Sequence, residues 1–197
     1  MEMQIFIHRV NTLEKLAKIP EKYGIEIDIR TDNNSLILNH EPFQWGQNFE
    51  EFLNTYHHNG IILNIKEAGI ENKVLELMKT YNIYNYFLLD VEFPYIYREA
   101  RKWVRDIAMR YSEDECIETV VKYKWLVDRV WIDTNTQLPL NKKIITKLEG
   151  FKTCLVCPER RWRQQDIQTY KQKIKELDFK LDAVMTALEY ANTRESN

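Results

Sequence analysis

Gln4-Ile5-Phe6-Ile7-His8, followed after one helical segment by Ile25-Glu26-Ile27-Asp28-Ile29-Arg30, is the stretch on which the fold turns. Both runs are apolar and rich in β-branched side chains, the signature of buried strands. Side chains two apart on a strand share one face. Glu26, Asp28 and Arg30 therefore point one way, and Ile25, Ile27 and Ile29 the other. Burying two carboxylates with a guanidinium is costly unless each sign meets its opposite. A metal ion together with a phosphate would satisfy both.

Working outward, strand-like runs recur at 61–66, 86–90, 107–111, 130–134, 153–157 and 183–186, with a minor one at 36–39. Helical spacing fills the gaps: Leu13, Leu16 and Ala17; Val74, Leu75 and Met78; Ile144, Ile145 and Leu148; Ile167, Tyr170, Ile174 and Leu177. Pro94 interrupts the fourth helix, and no full helix is expected after Thr186. Eight strands alternating with helices predict an α/β fold with parallel strands, a compact (β/α)8 TIM-type barrel. Residues 1–190 are expected to form that single domain and 191–197 a frayed tail. A doubly wound open sheet would carry a Gly-rich phosphate loop after its first strand. That position reads His8-Arg9-Val10-Asn11-Thr12, without glycine.

Composition narrows the class. A chain of 197 residues can bury a core of its own, and a net charge of -2 argues against a general nucleic-acid or membrane-surface binder. No apolar run is long enough to span a bilayer, and Met1-Glu2-Met3-Gln4 lacks the basic start and apolar core of a secretory signal. A cytoplasmic protein is expected, with its oligomeric state left open. Cys154 and Cys157 have redox or zinc spacing, but residues three apart on a strand face opposite sides.

The polar residues of interest fall at the C-terminal ends of the strands: His8, Asp28, Arg30, Asn64, Lys66, Asp90, Arg110, Asp133 and Glu159. In a parallel barrel those ends build the active site. Glu26, Asp28 and Asn64 offer the oxygen ligands that Mg²⁺ or Ca²⁺ prefers. His8 and His40 suit a base and acid pair, and Lys66 and Arg30 suit phosphate oxygens. Trp131 shares a face with Asp133, and Trp45 is placed to join a lid. Arg160-Arg161-Trp162-Arg163 follows strand seven, where barrels often bind phosphate. His57 and His58 precede strand three, at the opposite face, and read as surface residues.

These residues resemble the glycerophosphodiester phosphodiesterases and related phospholipase C-like phosphodiesterases. The family's opening His-Arg-Gly and Asn-Thr fall on His8-Arg9-Val10-Asn11-Thr12, its Glu-x-Asp pair on Glu26-Ile27-Asp28, its His-Asp on His40-Glu41, and its acid-x-Lys on Asn64-Ile65-Lys66. The resemblance is specific over residues 4–66. It implies a TIM-type barrel, a divalent cation on Glu26, Asp28 and Asn64, and cleavage of a small phosphodiester by His8 and His40. Within that stretch Arg9, Arg30 and Lys66 are expected around the substrate, and strand-end position adds Arg110, Trp131, Asp133 and Glu159. Val10, Glu41 and Asn64 depart from the pattern. The nucleophile is water or a substrate hydroxyl, the latter giving a cyclic product. Two other readings stand beside it: a non-catalytic barrel that binds a ligand in surface-polysaccharide or phospholipid metabolism, and a glycosidase using Asp133 and Glu159.

Overall fold

The structure is a computed structural model that describes residues 3–195. Its strands are β1 (Gln4–Ile7), β2 (Gly24–Asp32), β3 (Ser35–Leu38), β4 (Gln47–Asn48), β5 (Ile61–Ile65), β6 (Tyr86–Leu89), β7 (Ala108–Tyr111), β8 (Arg129–Ile132), β9 (Lys152–Val156) and β10 (Ala183–Thr186). The helices are α1 (Leu13–Leu16), α2 (Phe49–Leu53), α3 (Glu71–Thr80), α4 (Phe93–Ala100), α5 (Ile117–Lys122), α6 (Lys142–Leu148), α7 (Asp166–Glu176) and α8 (Ala191–Glu195). Once the β3–β4 extension is set aside, parallel strands follow one another in chain order, as in a (β/α)8 TIM-type fold. Among the described residues no ladder joins β6 to β7.

The chain divides into two compact units, residues 6–98 and residues 1–5 with 99–197. In the first, β1 pairs with β2, β2 with β5 and β5 with β6, all parallel. Ile25, Ile27 and Ile29 have no exposed surface, and each such burial is worth about 1.5–3 kcal/mol. Phe6 and Phe87 meet edge to face at 5.9 Å. Gly24 stands opposite Phe6, and a Cβ there would lie 2.4 Å from the Phe6 ring, so only glycine admits the phenyl group. β2 runs beyond its parallel partners and pairs antiparallel with β3, which pairs with β4. The minor strand at 36–39 is thus β3, and β4, only two residues long, was beyond the reach of periodicity.

In the second unit β7, β8, β9 and β10 pair in succession, all parallel. Asn141 caps α6 with its side chain, as Thr12 and Asn48 cap α1 and α2 in the first unit. Pro94 does not break α4. It occupies the first turn, where a backbone N–H has no helical partner to lose. The expected tail is ordered over Ala191–Glu195, because Ala191 and Arg194 are buried. Residues 196 and 197 of that tail lie outside the described residues.

Candidate active site

The first unit carries a cluster of charged side chains built on β2 and β5. Asp28 is paired in register with Asn64, so their side chains, with that of Glu26, share a face. All three are buried. Asn64 Nδ2 donates to Glu26 Oε1 at 2.9 Å and to Asp28 Oδ1 at 3.2 Å. Glu26 Oε2 accepts the backbone N–H of Arg9 at 2.8 Å and lies 3.9 Å from His8 Nε2. Asp28 Oδ2 accepts from Asn11 Nδ2 at 2.8 Å, while Asn11 Oδ1 accepts the Asp28 N–H at 2.9 Å. Lys66 Nζ stands 3.3 Å from Asp28 Oδ1 and 3.4 Å from Asp90 Oδ2.

Burial pushes the Glu26 carboxyl up to about 7, and the Asp28 charge adds to the rise. Bonds from Asn64 and the Arg9 N–H, and the Lys66 charge, offset part of it. Glu26 therefore exchanges its proton near neutral pH.

Sequence reasoning placed these residues together but missed two roles. Asn11 clasps Asp28 through two bonds; its position in the His8–Thr12 motif was the available signal. Asp90 joins through Lys66. The departure at Val10 is harmless to the turn, because the left-handed residue is Arg9, at φ 54°. Val10 is buried, and its N–H donates to the Glu26 carbonyl at 2.8 Å.

His40 is part-exposed, and its Nδ1 bonds Glu41 Oε1 at 2.6 Å. The imidazole holds the Glu41 carboxyl below the usual range. Glu41 thus reaches the ring despite its extra methylene and fixes one ring nitrogen, leaving Nε2 for other work. Arg30 differs from expectation. Its Nε and Nη2 donate to the His40 carbonyl and its Nη1 to the Lys66 carbonyl, at 3.2, 3.0 and 3.2 Å. Three of its nitrogens hold backbone, so Arg30 clamps the His40 loop rather than offering a free fork for phosphate. Asn39 Nδ2 closes the same loop on the Trp45 carbonyl at 2.6 Å and leaves the indole well exposed. His58 bonds the Ile19 carbonyl at 2.9 Å and stacks on Tyr56, a structural role before β5.

The remaining expected residues belong to the second unit. Arg110 bonds Asp133 and lies 3.3 Å from Glu115, while Arg160 is 3.9 Å from Asp133. Trp131 is fully buried, two residues deeper in β8 than Asp133, and so belongs to the core rather than to a substrate wall. Glu159 accepts from Thr186 Oγ1 and the Ala187 N–H, tying the turn after β9 to the end of β10 instead of facing a ligand. In the basic run, Arg163 holds the Thr134 and Thr136 carbonyls and Asp166, and Arg161 holds Asn135. Cys154 and Cys157 are free and buried, and burial pushes both thiols up, away from reactive or metal-binding thiolates.

No protein-family model matches the chain, and no curated protein does. Solved structures match over nearly the whole length. A glycerophosphodiester phosphodiesterase of Agrobacterium tumefaciens is 12% identical, with 99% of this chain and 100% of that one covered and a TM-score of 0.66. A glycerophosphoryl diester phosphodiesterase of Parabacteroides distasonis is 11% identical, covering 93% and 82%, at 0.62. An Agrobacterium tumefaciens protein given that name by assignment is 11% identical, covering 100% and 98%, at 0.70. The fold is that of the glycerophosphodiester phosphodiesterases. The barrel expected from the sequence is thereby matched in three dimensions, at an identity that speaks for the fold alone.

The motif resemblance leads to the expectation of a divalent cation on Glu26, Asp28 and Asn64. Among the described residues no three His, Cys, Asp or Glu side chains gather as a metal centre. Asn64 changes the count. Its Oδ1 is buried without a hydrogen-bond partner, while its Nδ2 lies against both carboxylates. Two carboxylates and an amide oxygen are donors a hard cation takes, but Nδ2 rather than Oδ1 faces the carboxylates, so the set fits once the Asn64 amide turns over.

Proposed function

We propose that this chain is a phosphodiesterase acting on a small glycerophosphodiester-like substrate. The observation that carries the reading is the buried Glu26–Asn64–Asp28 group, with His8 Nε2 3.9 Å from Glu26. Glu26, Asp28 and Asn64 would hold Mg²⁺ or Ca²⁺. When bound, such an ion polarises phosphoryl oxygens and neutralises their charge.

The chain's own groups supply the rest. One of His8 and His40 takes a proton from the attacking oxygen as the new P–O bond forms. The other gives a proton to the oxygen that leaves as the old P–O bond breaks. Glu41 fixes His40 through Nδ1, and Arg30 holds the carbonyl of the same residue. Lys66 has three N–H donors, two of them directed at Asp28 and Asp90, and the third is available to a phosphoryl oxygen. The attacking oxygen belongs to water or to a hydroxyl of the substrate.

His8→Ala and His40→Ala are each expected to abolish turnover of glycerophosphodiesters while melting temperature is kept. Full activity in either variant refutes the acid/base assignment.

A binding-only barrel is the second reading, favoured by one observation. Each carboxylate oxygen of Glu26 and Asp28 already meets a protein donor: Asn64, the Arg9 N–H, Lys66 or Asn11. Calorimetry with Mg²⁺ and Ca²⁺ separates the two, since the enzyme reading requires one of them to bind. Among the described residues no helix is long and apolar enough to cross a membrane. The free cysteines suit a reducing compartment, and we place the protein in the cytoplasm.

A further inference from the structure

The second unit contains a cavity of about 520 Å³, within the range of small-ligand pockets. One wall is apolar: Leu155 of β9 and Val184 of β10 are register neighbours, and Phe179 folds back beside them after α7. The polar side is cationic, with Lys171 and Lys175 one turn apart on α7, and Arg194 from α8. No acidic residue lines it.

Arg194 marks this cavity out. It is 4% exposed, and its Nε and Nη2 are buried without a hydrogen-bond acceptor. The carboxylate paired with it, Glu159 Oε2, stays 3.7 Å from Nη2, beyond hydrogen-bonding reach. Glu159 Oε1 is committed to Thr186 and Ala187. Nε and Nη2 are closed to solvent, so an anion in the cavity would meet the guanidinium at its third nitrogen, Nη1, and the buried cation would gain a counter-charge there. Lys171 Nζ holds the Thr193 carbonyl at 2.9 Å, which keeps α8 and its arginine over the cavity.

We propose that the cavity binds an amphiphilic anion, a single alkyl chain ending in a carboxylate or phosphate monoester, with its head on Arg194 and its tail along Leu155, Val184 and Phe179. An apolar wall facing a cationic one matches a ligand with the same division. The site lies wholly within the second unit and is independent of the phosphodiesterase reading.

Titration calorimetry of the intact chain tests it, with decanoate and decyl phosphate below their micelle concentrations. Inorganic phosphate and decanol serve as half-ligands. One saturable site is expected for both amphiphiles, at least roughly tenfold tighter than for either half-ligand. The tighter amphiphile identifies the head group. Arg194→Gln should weaken binding roughly tenfold or more. Should that variant fail to fold, Lys175→Glu and Phe179→Ser, at exposed and half-exposed positions, carry the test with smaller losses. Absence of saturable binding, equal binding of decanol and decanoate, or unchanged affinity in Lys175→Glu and Phe179→Ser overturns the proposal.

Discussion

Asn64 Nδ2 donates to Glu26 Oε1 at 2.9 Å across the β2–β5 ladder, and the same nitrogen reaches Asp28 Oδ1 at 3.2 Å. One neutral amide thus holds two buried acids together, where the acid-x-Lys motif that Asn64-Ile65-Lys66 resembles has a third acid. The amide presents its nitrogen to the carboxylates and leaves its oxygen unbonded. Without a cation that is the complementary orientation, since an oxygen there would face two acceptors.

Asn64→Asp is therefore expected to move two properties in opposite directions. In chelator the variant should lose about 1–3 kcal/mol, because three buried acids replace an acid pair and its donor. Affinity for Ca²⁺ or Mg²⁺ should rise about tenfold with the added ligand charge. Denaturant titration in chelator and calorimetry with each ion check the two halves. Parallel losses in both would remove the ligand role from this position.

Glu26 predicts a pH dependence. Its folded value, about 7, lies above its ordinary 4.5, so the folded state keeps a proton that the unfolded chain gives up first. The contribution is fully present below about 4.5, falls as pH rises, and is lost above about 7, a span on the order of 3 kcal/mol. In chelator, Glu26→Gln should flatten that part of the stability profile between pH 4.5 and 7.

Asn11→Ala removes both bonds to Asp28. The expected cost is about 1–3 kcal/mol, with kcat reduced more than KM changed, because Asp28 loses its orientation rather than a substrate contact. Thermal unfolding and steady-state kinetics on one preparation measure both.

Arg30→Lys should loosen the loop that carries His40. A single ammonium cannot reproduce a planar fork that spans the His40 and Lys66 carbonyls. A loss of about 1–2 kcal/mol and faster proteolysis between residues 39 and 46 are expected. Direct phosphate binding by Arg30 would instead show as a raised KM with proteolysis unchanged.

His58→Ala is the contrasting case. It breaks the bond to the Ile19 carbonyl and costs about 1 kcal/mol, with turnover of the phosphodiester unchanged. A lost activity would mean that the end of the sheet before β5 takes part in the chemistry.

The sequence by itself determined the strand order, the helices between the strands and the shared face of Glu26 and Asp28. Those properties follow from local periodicity, which a chain carries wherever it goes. The His8, His40 and Lys66 motifs were legible for the same reason, since each sits next to its strand. Tertiary structure decided which partner each polar group met. Arg30 and Asp28 share a strand and a parity, yet one holds backbone carbonyls and the other joins the acid pair. Trp131 and Glu159 sat where a ligand wall was expected and became core and tie. Hydrogen bonds between residues 17 to 38 positions apart, such as Asn11 to Asp28 and Asn64 to Glu26, leave no trace in a periodic pattern. They arise only when strands pair in register and buried donors must find acceptors.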